Sequence, residues 1–183
     1  MNNLFAGIYN NKRIFLTGHT GFKGSWMTLW LKKMGAEVYG YSLEPAYTPS
    51  HYKLLNLNVP ETIDDIRNYD KLSSAIKSFN PDIIIHMAAQ PLVRLSYREP
   101  RETFETNVMG TVNLLNASRN TDSVKAIVNI TTDKCYENRE WVWGYRENDP
   151  MGGHDPYSAS KGCAELVTSA YRNSFFNLNK YLN

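Results

Sequence analysis

Two residues in the C-terminal part of the sequence have the types and spacing needed to remove a proton from a hydroxyl group. Tyr157 and Lys161 stand four positions apart in "PYSASKG", so both side chains lie on the same face of a helix. A free tyrosine has a pKa of about 10 and is a poor base at neutral pH, but a nearby ammonium group stabilises the phenolate. Such a tyrosine can accept a proton from a sugar hydroxyl while the carbon that bears this hydroxyl gives up hydride. An isolated pair of this kind is usually a surface contact, so only its context favours catalysis.

A second candidate group lies upstream, in the stretch "VNITTDKCYENREWVWGY". Its first, β-branched residues predict a buried strand, and an acid and a base follow where that strand ends, namely Asp133 and Lys134. These two residues are either a solvated strand end or a catalytic pair. Thr132 precedes them, and we expect its hydroxyl to hydrogen-bond the same substrate hydroxyl as Tyr157.

Glycines mark a third candidate site near the N-terminus. The stretch "TGHTGFKG" places Gly18, Gly21 and Gly24 between a predicted strand and a predicted helix. Glycine permits a tight turn in which backbone N–H groups approach a pyrophosphate at a helix N-terminus. The spacing differs from the GxGxxG of many dehydrogenases, but its position between strand and helix predicts a dinucleotide site.

Acidic residues further along the chain are candidates for the ribose and adenine of the dinucleotide. Glu44 follows the second predicted strand, where a carboxylate accepts hydrogen bonds from a ribose 2′-OH and repels a 2′-phosphate, so it favours NAD over NADP. An ordinary loop acid is an equally good interpretation of Glu44. Asp65 follows the third predicted strand and is a candidate for the adenine edge, with the same alternative.

Strands and helices alternate along the chain, which predicts an α/β fold with a doubly wound, Rossmann-like parallel sheet covered by helices on both faces. We expect one domain over residues 1–183, with a poorly anchored tail over about 174–183. Residues 44–58 are expected to form a polar loop, and Asp70 is the expected N-cap of the helix that follows. The predicted buried strands include "RIFLT", "AEVYGYS", "DIIIHMAA" and "KAIVNIT", and the predicted helices include "GSWMTLWLKKMG", residues 101–119 and "DPYSASKGCAELVTSAYRN".

The composition narrows the classes of function. The formal net charge is +2 and no Lys/Arg-rich run occurs, so no nucleic-acid partner is expected. We find neither a signal peptide nor an apolar run of about 18 residues, so no membrane partner is expected. Cys135 and Cys163 each stand alone, which predicts reduced thiols in the cytoplasm and no metal site.

These motifs together resemble those of the extended short-chain dehydrogenases/reductases and, within them, of the CDP-glucose 4,6-dehydratases. The resemblance covers most of residues 12–176 and is carried by "TGHTGFKGSW", "HMAAQPLVRLSY", "TNVMGTVNLL", "TTDKCYENREWVWGYRENDPMGG" and "DPYSASKGCAELV". It implies a lyase that uses NAD as an internal redox cofactor and converts CDP-glucose into CDP-4-dehydro-6-deoxyglucose, a precursor of dideoxyhexoses in surface polysaccharides. It also implies a homo-oligomer that pairs through two long helices.

The resemblance implies roles for individual residues. Tyr157, aided by Lys161 and Thr132, would remove the 4-hydroxyl proton, and Asp133 would protonate the departing C6 hydroxyl. Lys134 stands where related dTDP-glucose enzymes carry a glutamate, and it would take the C5 proton if neutral or stabilise the enolate if charged. The residues expected to bind NAD are Gly18, Thr20, Gly21, Phe22, Lys23, Gly24, Glu44, Asp65, Ile66, Ala88, Ala89, Gln90, Asn107, Tyr157 and Lys161.

Other residues in the matched motifs have more than one interpretation. Asn107 is expected to be a structural or a relay residue, and His86 is expected to be a strand-end histidine with satisfied hydrogen bonds. His19 and Lys23 are candidates for phosphate contacts, although a solvated Lys23 is equally well supported. Three aromatic residues either line a sugar-nucleotide pocket or simply pack their own loop: Trp141, Trp143 and Tyr145.

Members of the family that the sequence resembles are much longer than this chain, and the resemblance stops in "YRNSFFNLNKYLN". A C-terminal substrate domain is therefore expected to be missing, which predicts reduced or no activity and an exposed apolar sheet edge. Two alternatives stay open. The chain is either another NAD-dependent sugar-nucleotide dehydratase or epimerase, or a non-catalytic fragment that binds NAD or dimerises.

Overall fold

A parallel sheet of five strands organises the part of the chain that the computed structural model describes, residues 4–176. The strands are β1 (Arg13–Thr17), β2 (Glu37–Ser42), β3 (Glu61–Ile63), β4 (Ile83–His86) and β5 (Ala126–Asn129). They pair in the order β3-β2-β1-β4-β5, and every pairing is parallel. The order reverses between β1 and β4, as in doubly wound sheets, so the predicted fold class is confirmed.

The described residues divide into two units. The sheet unit comprises residues 4–88 and 116–130, and the helical unit comprises residues 89–115 and 131–176. Among the described helices, none has both the length and the apolar character needed to cross a membrane. The helices are α1 (Phe22–Lys33), α2 (His51–Leu55), α3 (Tyr69–Phe79), α4 (Val93–Arg98), α5 (Pro100–Phe104), α6 (Gly110–Arg119) and α7 (Pro156–Ser174).

The central strands β1 and β4 are apolar because they have a neighbouring strand on each side and are buried. Ile14, Phe15 and Leu16 of β1 are fully buried, and so is Ile84 of β4. The two strands pair in register, with Ile14 opposite Ile83 and Leu16 opposite Ile85. This arrangement confirms that the apolar runs in the sequence are buried strands.

Strand β5 differs from its prediction. It forms where "KAIVNIT" predicts a strand, but it is not buried, because it pairs only with β4 and lies at the edge of the sheet. Val128 is 46% exposed, and every second residue of the strand faces solvent. The expected apolar sheet edge is therefore present in this chain.

The segment over residues 44–58 was predicted to be a polar loop, and this prediction is wrong in part. It contains α2, whose N-terminus is capped by the Ser50 hydroxyl, which accepts a hydrogen bond from the Lys53 backbone N–H at 3.2 Å. Tyr52 in α2 packs its ring edge-on against His19. The other residue at the start of α2, His51, packs against the rings of Phe22 and Trp26 of α1 and lies within hydrogen-bond distance of Ser25. The Ser50 cap and these contacts stabilise a short helix that has no clear helical periodicity.

The predicted N-cap of α3 is also wrong. Asn68 caps this helix, because its side-chain oxygen accepts a hydrogen bond from the Lys71 backbone N–H at 3.3 Å. Asp70 lies in the first turn instead, where its negative charge interacts favourably with the positive end of the helix dipole.

The helical unit is built around α7. This helix contacts α4, α5, the π-helical turn Glu105–Met109 and the 3₁₀ turn Asp133–Cys135. Asp155 caps α7, since its two carboxylate oxygens accept from the backbone N–H and the hydroxyl of Ser158 at 2.9 and 2.6 Å. Pro156 occupies the first turn as predicted. The expected helix over residues 101–119 is present, with the π-helical turn inside it. Most of the tail predicted over 174–183 lies outside the described residues.

A glycine inside β2 makes room for a buried histidine. Gly40 lies against the imidazole of His19, and a Cβ at position 40 would collide with that ring. His19 itself is completely buried. Glycine inside a strand often marks such a close approach, and here it lets the turn after β1 pack onto β2.

We therefore expect Gly40→Ala to destabilise the chain by about 1–3 kcal/mol, the usual cost of overpacking a core. The matched control is Gly144→Ala, because a Cβ there would meet no atom within 4 Å. Urea unfolding followed by circular dichroism measures both variants. Equal midpoints for the two variants would contradict the close approach of His19.

Candidate active site

The glycine turn joins the end of β1 to the start of α1. Gly18 has a φ of +75°, which favours glycine, and a Cβ there would lie 2.8 Å from the backbone of Met87 and Ala88. Gly21 is the N-cap of α1, and no side chain caps this helix in the described structure. The first backbone N–H groups of α1 are therefore available to an anion, as the sequence predicts for a pyrophosphate site.

The other side chains of the turn have contrasting surroundings. Thr20 is buried, and its hydroxyl hydrogen-bonds the Ser42 hydroxyl and the Leu43 carbonyl, each at 2.8 Å. Thr20 thus fastens the turn to the end of β2. Phe22 is 70% exposed and Lys23 is also exposed. Their proposed contacts with NAD stay predictions.

His19 faces away from solvent and pairs with an acid. Its Nε2 lies 2.6 Å from a carboxylate oxygen of Glu61, and the same oxygen accepts a hydrogen bond from the Tyr52 hydroxyl at 2.6 Å. His19 Nδ1 has no hydrogen-bond partner among the described atoms. Burial lowers the pKa of His19 below its usual value, although Glu61 opposes this effect. The structure thus gives His19 a partner within the protein, and a phosphate contact stays a prediction.

The residues after β4 are held by a single hydroxyl group. Thr17 Oγ1 lies 2.7 Å from His86 Nδ1 and accepts hydrogen bonds from the backbone N–H groups of Met87 and Ala88, both at 3.1 Å. His86 is buried, so the prediction of a satisfied strand-end histidine is confirmed. Ala88 lies directly against Gly18, while Ala89 is half-buried in the helical unit.

The candidates for the ribose and adenine lie after β2 and β3. Glu44 is exposed beyond the end of β2, where either interpretation of its carboxylate remains possible. Asp65 forms an ion pair with Arg67 at 2.6 Å, and the hydrogen bond from Arg67 holds the pKa of Asp65 below its usual value. Ile66 is buried. The proposed contacts of these residues with a dinucleotide stay predictions.

Tyr157 and Lys161 lie in the first turns of α7, one turn apart, and both are buried. Burial raises the pKa of Tyr157, and the nearby carboxylates of Asp133 and Asp155 raise it further. A hydrogen bond with the Thr132 hydroxyl lowers it in part. In the chain by itself, Tyr157 therefore retains its proton at neutral pH.

The Thr132 hydroxyl contacts the two residues that follow it in the strand-end motif. It donates to Asp133 Oδ1 at 3.0 Å and accepts from the Lys134 backbone N–H at 3.4 Å. Asp133 and Lys134 are exposed and belong to the short 3₁₀ turn. This turn packs against α7, the helix that carries Tyr157 and Lys161.

A cavity of about 340 Å³ opens beside this turn, within the helical unit. Several of its polar side chains already have hydrogen-bond partners: the Ser158 hydroxyl donates to Asp155, the N-cap of α7, and Tyr145 donates to Asn138 at 3.1 Å. The lining residues are Val93, Asp133, Lys134, Tyr136, Asn138, Tyr145, Gly153, His154, Asp155 and Ser158. Asp133 and Lys134 thus face a space large enough for part of a ligand.

The sequence predicts that the aromatic residues of the loop after this turn either line a sugar-nucleotide pocket or pack the loop itself, and the structure divides them between these two roles. Tyr145 lines the cavity and stacks on Tyr136, with ring centroids 5.2 Å apart. Trp141 packs against Tyr145, at 5.7 Å. Trp143 is 74% exposed. Loop packing therefore accounts for Trp141, and only Tyr145 lies at the cavity.

Gln90 and Asn107 form a buried network. Asn107 accepts from the Gln90 backbone N–H at 2.8 Å and donates to the Gln90 carbonyl and the Ser160 hydroxyl at 3.1 and 2.8 Å. The Gln90 side chain bonds Leu92 and Thr103. These bonds support the structural interpretation of Asn107. The Gln90 side chain has its hydrogen-bond partners within the protein, and its contact with NAD stays a prediction.

Two residues near the candidate site were not singled out in the sequence. Glu165 on α7 accepts a hydrogen bond from the Thr131 hydroxyl and thereby fastens the start of the Thr132–Lys134 turn. The two residues are 34 positions apart, so no local pattern could have paired them. Glu61 pairs with His19 across 42 positions, and only Gly40 signalled a close approach in that region.

Comparison with known proteins identifies the family. The family model for GDP-mannose 4,6 dehydratase matches residues 15–179, which is most of the sequence. The chain belongs to the GDP-mannose 4,6 dehydratase family. Within this family it is similar to the CDP-glucose 4,6-dehydratase of Salmonella typhimurium, with 61% identity over 175 residues. That match covers 94% of this chain and 49% of the relative.

Solved structures of related enzymes share the fold. A UDP-glucose 4-epimerase from Thermus thermophilus, in complex with NAD, matches with a TM-score of 0.78 and 30% identity over 90% of this chain and 52% of its own. A dTDP-glucose 4,6-dehydratase from Streptomyces venezuelae, with NAD bound, matches with a TM-score of 0.79 and 26% identity at the same coverage. The chain spans about half the length of the curated relatives that it matches first.

The buried His19 makes stability depend on pH. Its pKa is lowered in the folded state, so below about pH 6.5 the unfolded chain binds a proton that the folded chain does not. The free energy of unfolding is therefore expected to fall as the pH drops below 6.5, by at most about 1.4 kcal/mol per pH unit. Urea unfolding at pH 7.5 and 5.5 measures this slope.

His19→Asn should reduce the slope, because it removes the titrating group. The matched control is His154→Asn, since His154 is exposed and should leave the slope unchanged. An equal slope in both variants would show that other groups cause the pH dependence.

Proposed function

We propose that this chain carries the NAD-binding and catalytic groups of a CDP-glucose 4,6-dehydratase. The observation that supports this proposal best is the Thr132–Lys134 turn, which packs against the helix of the proposed base Tyr157 and presents an acid and a lysine to one cavity. The similarity to the Salmonella enzyme extends over nearly the whole chain and supports CDP-glucose as the substrate. Nucleotide sugars and NAD both occur in the cytoplasm, which we propose as the site of action.

The glycine turn fits NAD. Gly18 and Gly21 keep the start of α1 free of side chains, so a pyrophosphate can approach the uncapped N–H groups. Bound NAD would supply a temporary acceptor for the hydride from C4 of the sugar, which then returns to C6. Glu44 is the proposed partner of the ribose hydroxyls and would favour NAD over NADP.

Tyr157 is the proposed base for the 4-hydroxyl group. Its pKa is raised in the chain alone, so the phenolate must be stabilised when the ligands bind. Lys161 lies one turn away on α7 and carries the positive charge suited to this purpose. The Thr132 hydroxyl would hydrogen-bond the same substrate hydroxyl.

Asp133 and Lys134 are the proposed elimination pair. Asp133, in its protonated form, would donate a proton to the departing C6 hydroxyl. Lys134 would remove the C5 proton if it is neutral, or stabilise the enolate if it is charged. Its side chain makes no hydrogen bond or ion pair within residues 4–176, and it lines the cavity, so either role is open to it.

A second candidate function is that of another sugar-nucleotide enzyme, such as an epimerase. One observation supports it, namely the 30% identity with the Thermus UDP-glucose 4-epimerase. An epimerase needs no elimination pair, so the acid and lysine at the cavity favour a dehydratase. A non-catalytic fragment that binds NAD or pairs through long helices is the third candidate, and an activity test separates it from the other two.

The direct test is to incubate the chain with NAD and CDP-glucose and to measure the 4-keto product by mass spectrometry. We expect product, at a rate well below that of the Salmonella relative, because much of the energy that positions a nucleotide sugar comes from remote contacts. UDP-glucose and dTDP-glucose serve as controls and should give less product. Calorimetry with NAD tests cofactor binding separately. Binding of NAD without any product would support the non-catalytic candidate instead.

Substitutions at Lys134 distinguish its two proposed roles. Lys134→Met should spare oxidation at C4 and block the loss of water, so a 4-keto sugar that retains its C6 hydroxyl should accumulate and be detected after rapid quenching. Lys134→Arg keeps the charge but cannot act as a base, because the pKa of arginine is above 12. Elimination that survives in the Arg variant indicates the electrostatic role. Normal elimination in both variants would show that Lys134 is only a solvated residue at the end of a strand.

A further inference from the structure

The proposed reaction acts on only some of the free hydroxyl groups of the hexose. Tyr157 acts on the 4-hydroxyl and Asp133 on the C6 hydroxyl, so the hydroxyls at C2 and C3 are unchanged at the end of the reaction. None of the groups proposed for catalysis binds these two hydroxyls. A residue that does bind them, and so positions the hexose, has to lie at the cavity that Asp133 and Lys134 line.

Asn138 lines this cavity, and two neighbours determine which way its amide is turned. The Glu140 backbone N–H contacts one end of the amide at 3.0 Å, and because an N–H group donates, the atom at that end is the oxygen, Oδ1. The Tyr145 hydroxyl lies 3.1 Å from the same oxygen. This hydroxyl accepts from the Arg139 backbone N–H at 2.9 Å, so its single proton is available to Asn138. Two donors therefore hold the oxygen end of the amide.

The nitrogen end of the same amide is in a different situation. Asn138 Nδ2 carries two N–H donors, and neither makes a hydrogen bond within residues 4–176. Because the loop holds the oxygen, the donors stay available without a rotation of the amide. A sugar hydroxyl has two lone pairs that accept, so it is a suitable partner for these donors.

The loop that carries Asn138 is joined closely to the turn of the elimination pair. The Tyr136 backbone N–H donates to the Asp133 carbonyl at 3.2 Å. The Tyr136 ring stacks on the Tyr145 ring, with centroids 5.2 Å apart and ring planes inclined by 6°. Tyr145 in turn bonds to Asn138, so the amide is connected to Asp133 by a short series of direct contacts.

We propose that Asn138 binds the hexose of the nucleotide sugar by donating from Nδ2 to its C2 or C3 hydroxyl, and that Tyr145 positions the amide for this contact. The inference rests on the proposed dehydratase function, because that function brings the sugar to this cavity. Neither residue makes or breaks a covalent bond. Asn138 thus contributes to the choice of sugar, and Tyr145 acts only through Asn138.

Deoxy analogues of the substrate test the contact. With NAD, kcat/KM is measured for CDP-glucose and for its 2-deoxy and 3-deoxy analogues, in wild type and in Asn138→Asp. The variant keeps an oxygen that accepts from Tyr145 and Glu140 but has no N–H donor, and its added charge cancels in the ratio because it acts on all three substrates. The preference of wild type for CDP-glucose over one analogue should fall by about 3–10-fold in the variant, the usual effect of one hydrogen bond. An unchanged preference over both analogues would overturn the proposal.

Tyr145→Phe tests whether Tyr145 acts through Asn138. This variant keeps the ring that stacks on Tyr136 but lacks the proton that holds Oδ1, so it should raise KM for CDP-glucose more than it lowers kcat and should reduce the preference over the same analogue. Added to Asn138→Asp, it should cause no further loss of preference. A further loss in the double variant would show that Tyr145 acts independently of Asn138. The matched control is Tyr47→Phe, which should keep the wild-type preference, since Tyr47 is 75% exposed in the sheet unit and does not line the cavity.

Binding without turnover separates this proposal from the proposed function. Saturation-transfer NMR with CDP-glucose reports the contact of the protein with hexose and cytidine protons separately. The hexose protons should be saturated in wild type, and their saturation should fall relative to the cytidine protons in Asn138→Asp. This dependence in the absence of any product would refute the dehydratase function and leave the contact of Asn138 standing. Product that forms with no dependence on Asn138, or a hexose that receives no saturation in wild type, would overturn the contact.

Discussion

The buried amide group of Asn107 is the interaction on which the helical unit depends. It satisfies both backbone polar groups of Gln90 and also donates to the hydroxyl of Ser160, which in turn donates to the carbonyl of Tyr157. All of these bonds lie in the interior, where an unpaired polar group costs several times more than a surface one. One side chain therefore determines the position of the segment after β4 and of the helical turn that carries the proposed base.

The proposed base and acid sit in contrasting environments. Burial protects Tyr157 from water and raises its pKa, which suits a base only when other charges stabilise the phenolate. Lys161 lies one turn away on α7 and carries a positive charge suited to this. Asp133, in contrast, is exposed at the cavity.

The two units contribute different parts of the proposed chemistry. The sheet unit supplies an uncapped helix N-terminus and a glycine turn, supported by the pairing of the buried His19 with the exposed Glu61. The helical unit supplies the acid–base groups and the cavity beside them. The relatives extend over about twice the matched length, and strand β5 presents an apolar edge in this chain.

Local sequence was enough to determine the strands, their parallel order as a fold class, the glycine turn and the helix that carries Tyr157 and Lys161, because each depends on periodicity or on the backbone freedom of a few adjacent residues. It did not determine that β5 is an edge strand, because that depends on which strands pair in space. It predicted Asp70 instead of Asn68 as the cap of α3, because both are polar residues at the start of the helix. It missed α2, because the rings that pack against this short helix come from other parts of the chain. The pairing of Glu61 with His19 and of Glu165 with Thr131 joins residues 42 and 34 positions apart. Above all, the sequence predicted that Thr132 and Tyr157 act on one substrate hydroxyl, and only the tertiary structure showed that the turn after Thr132 packs against α7, because contact between distant segments depends on how the whole unit is packed.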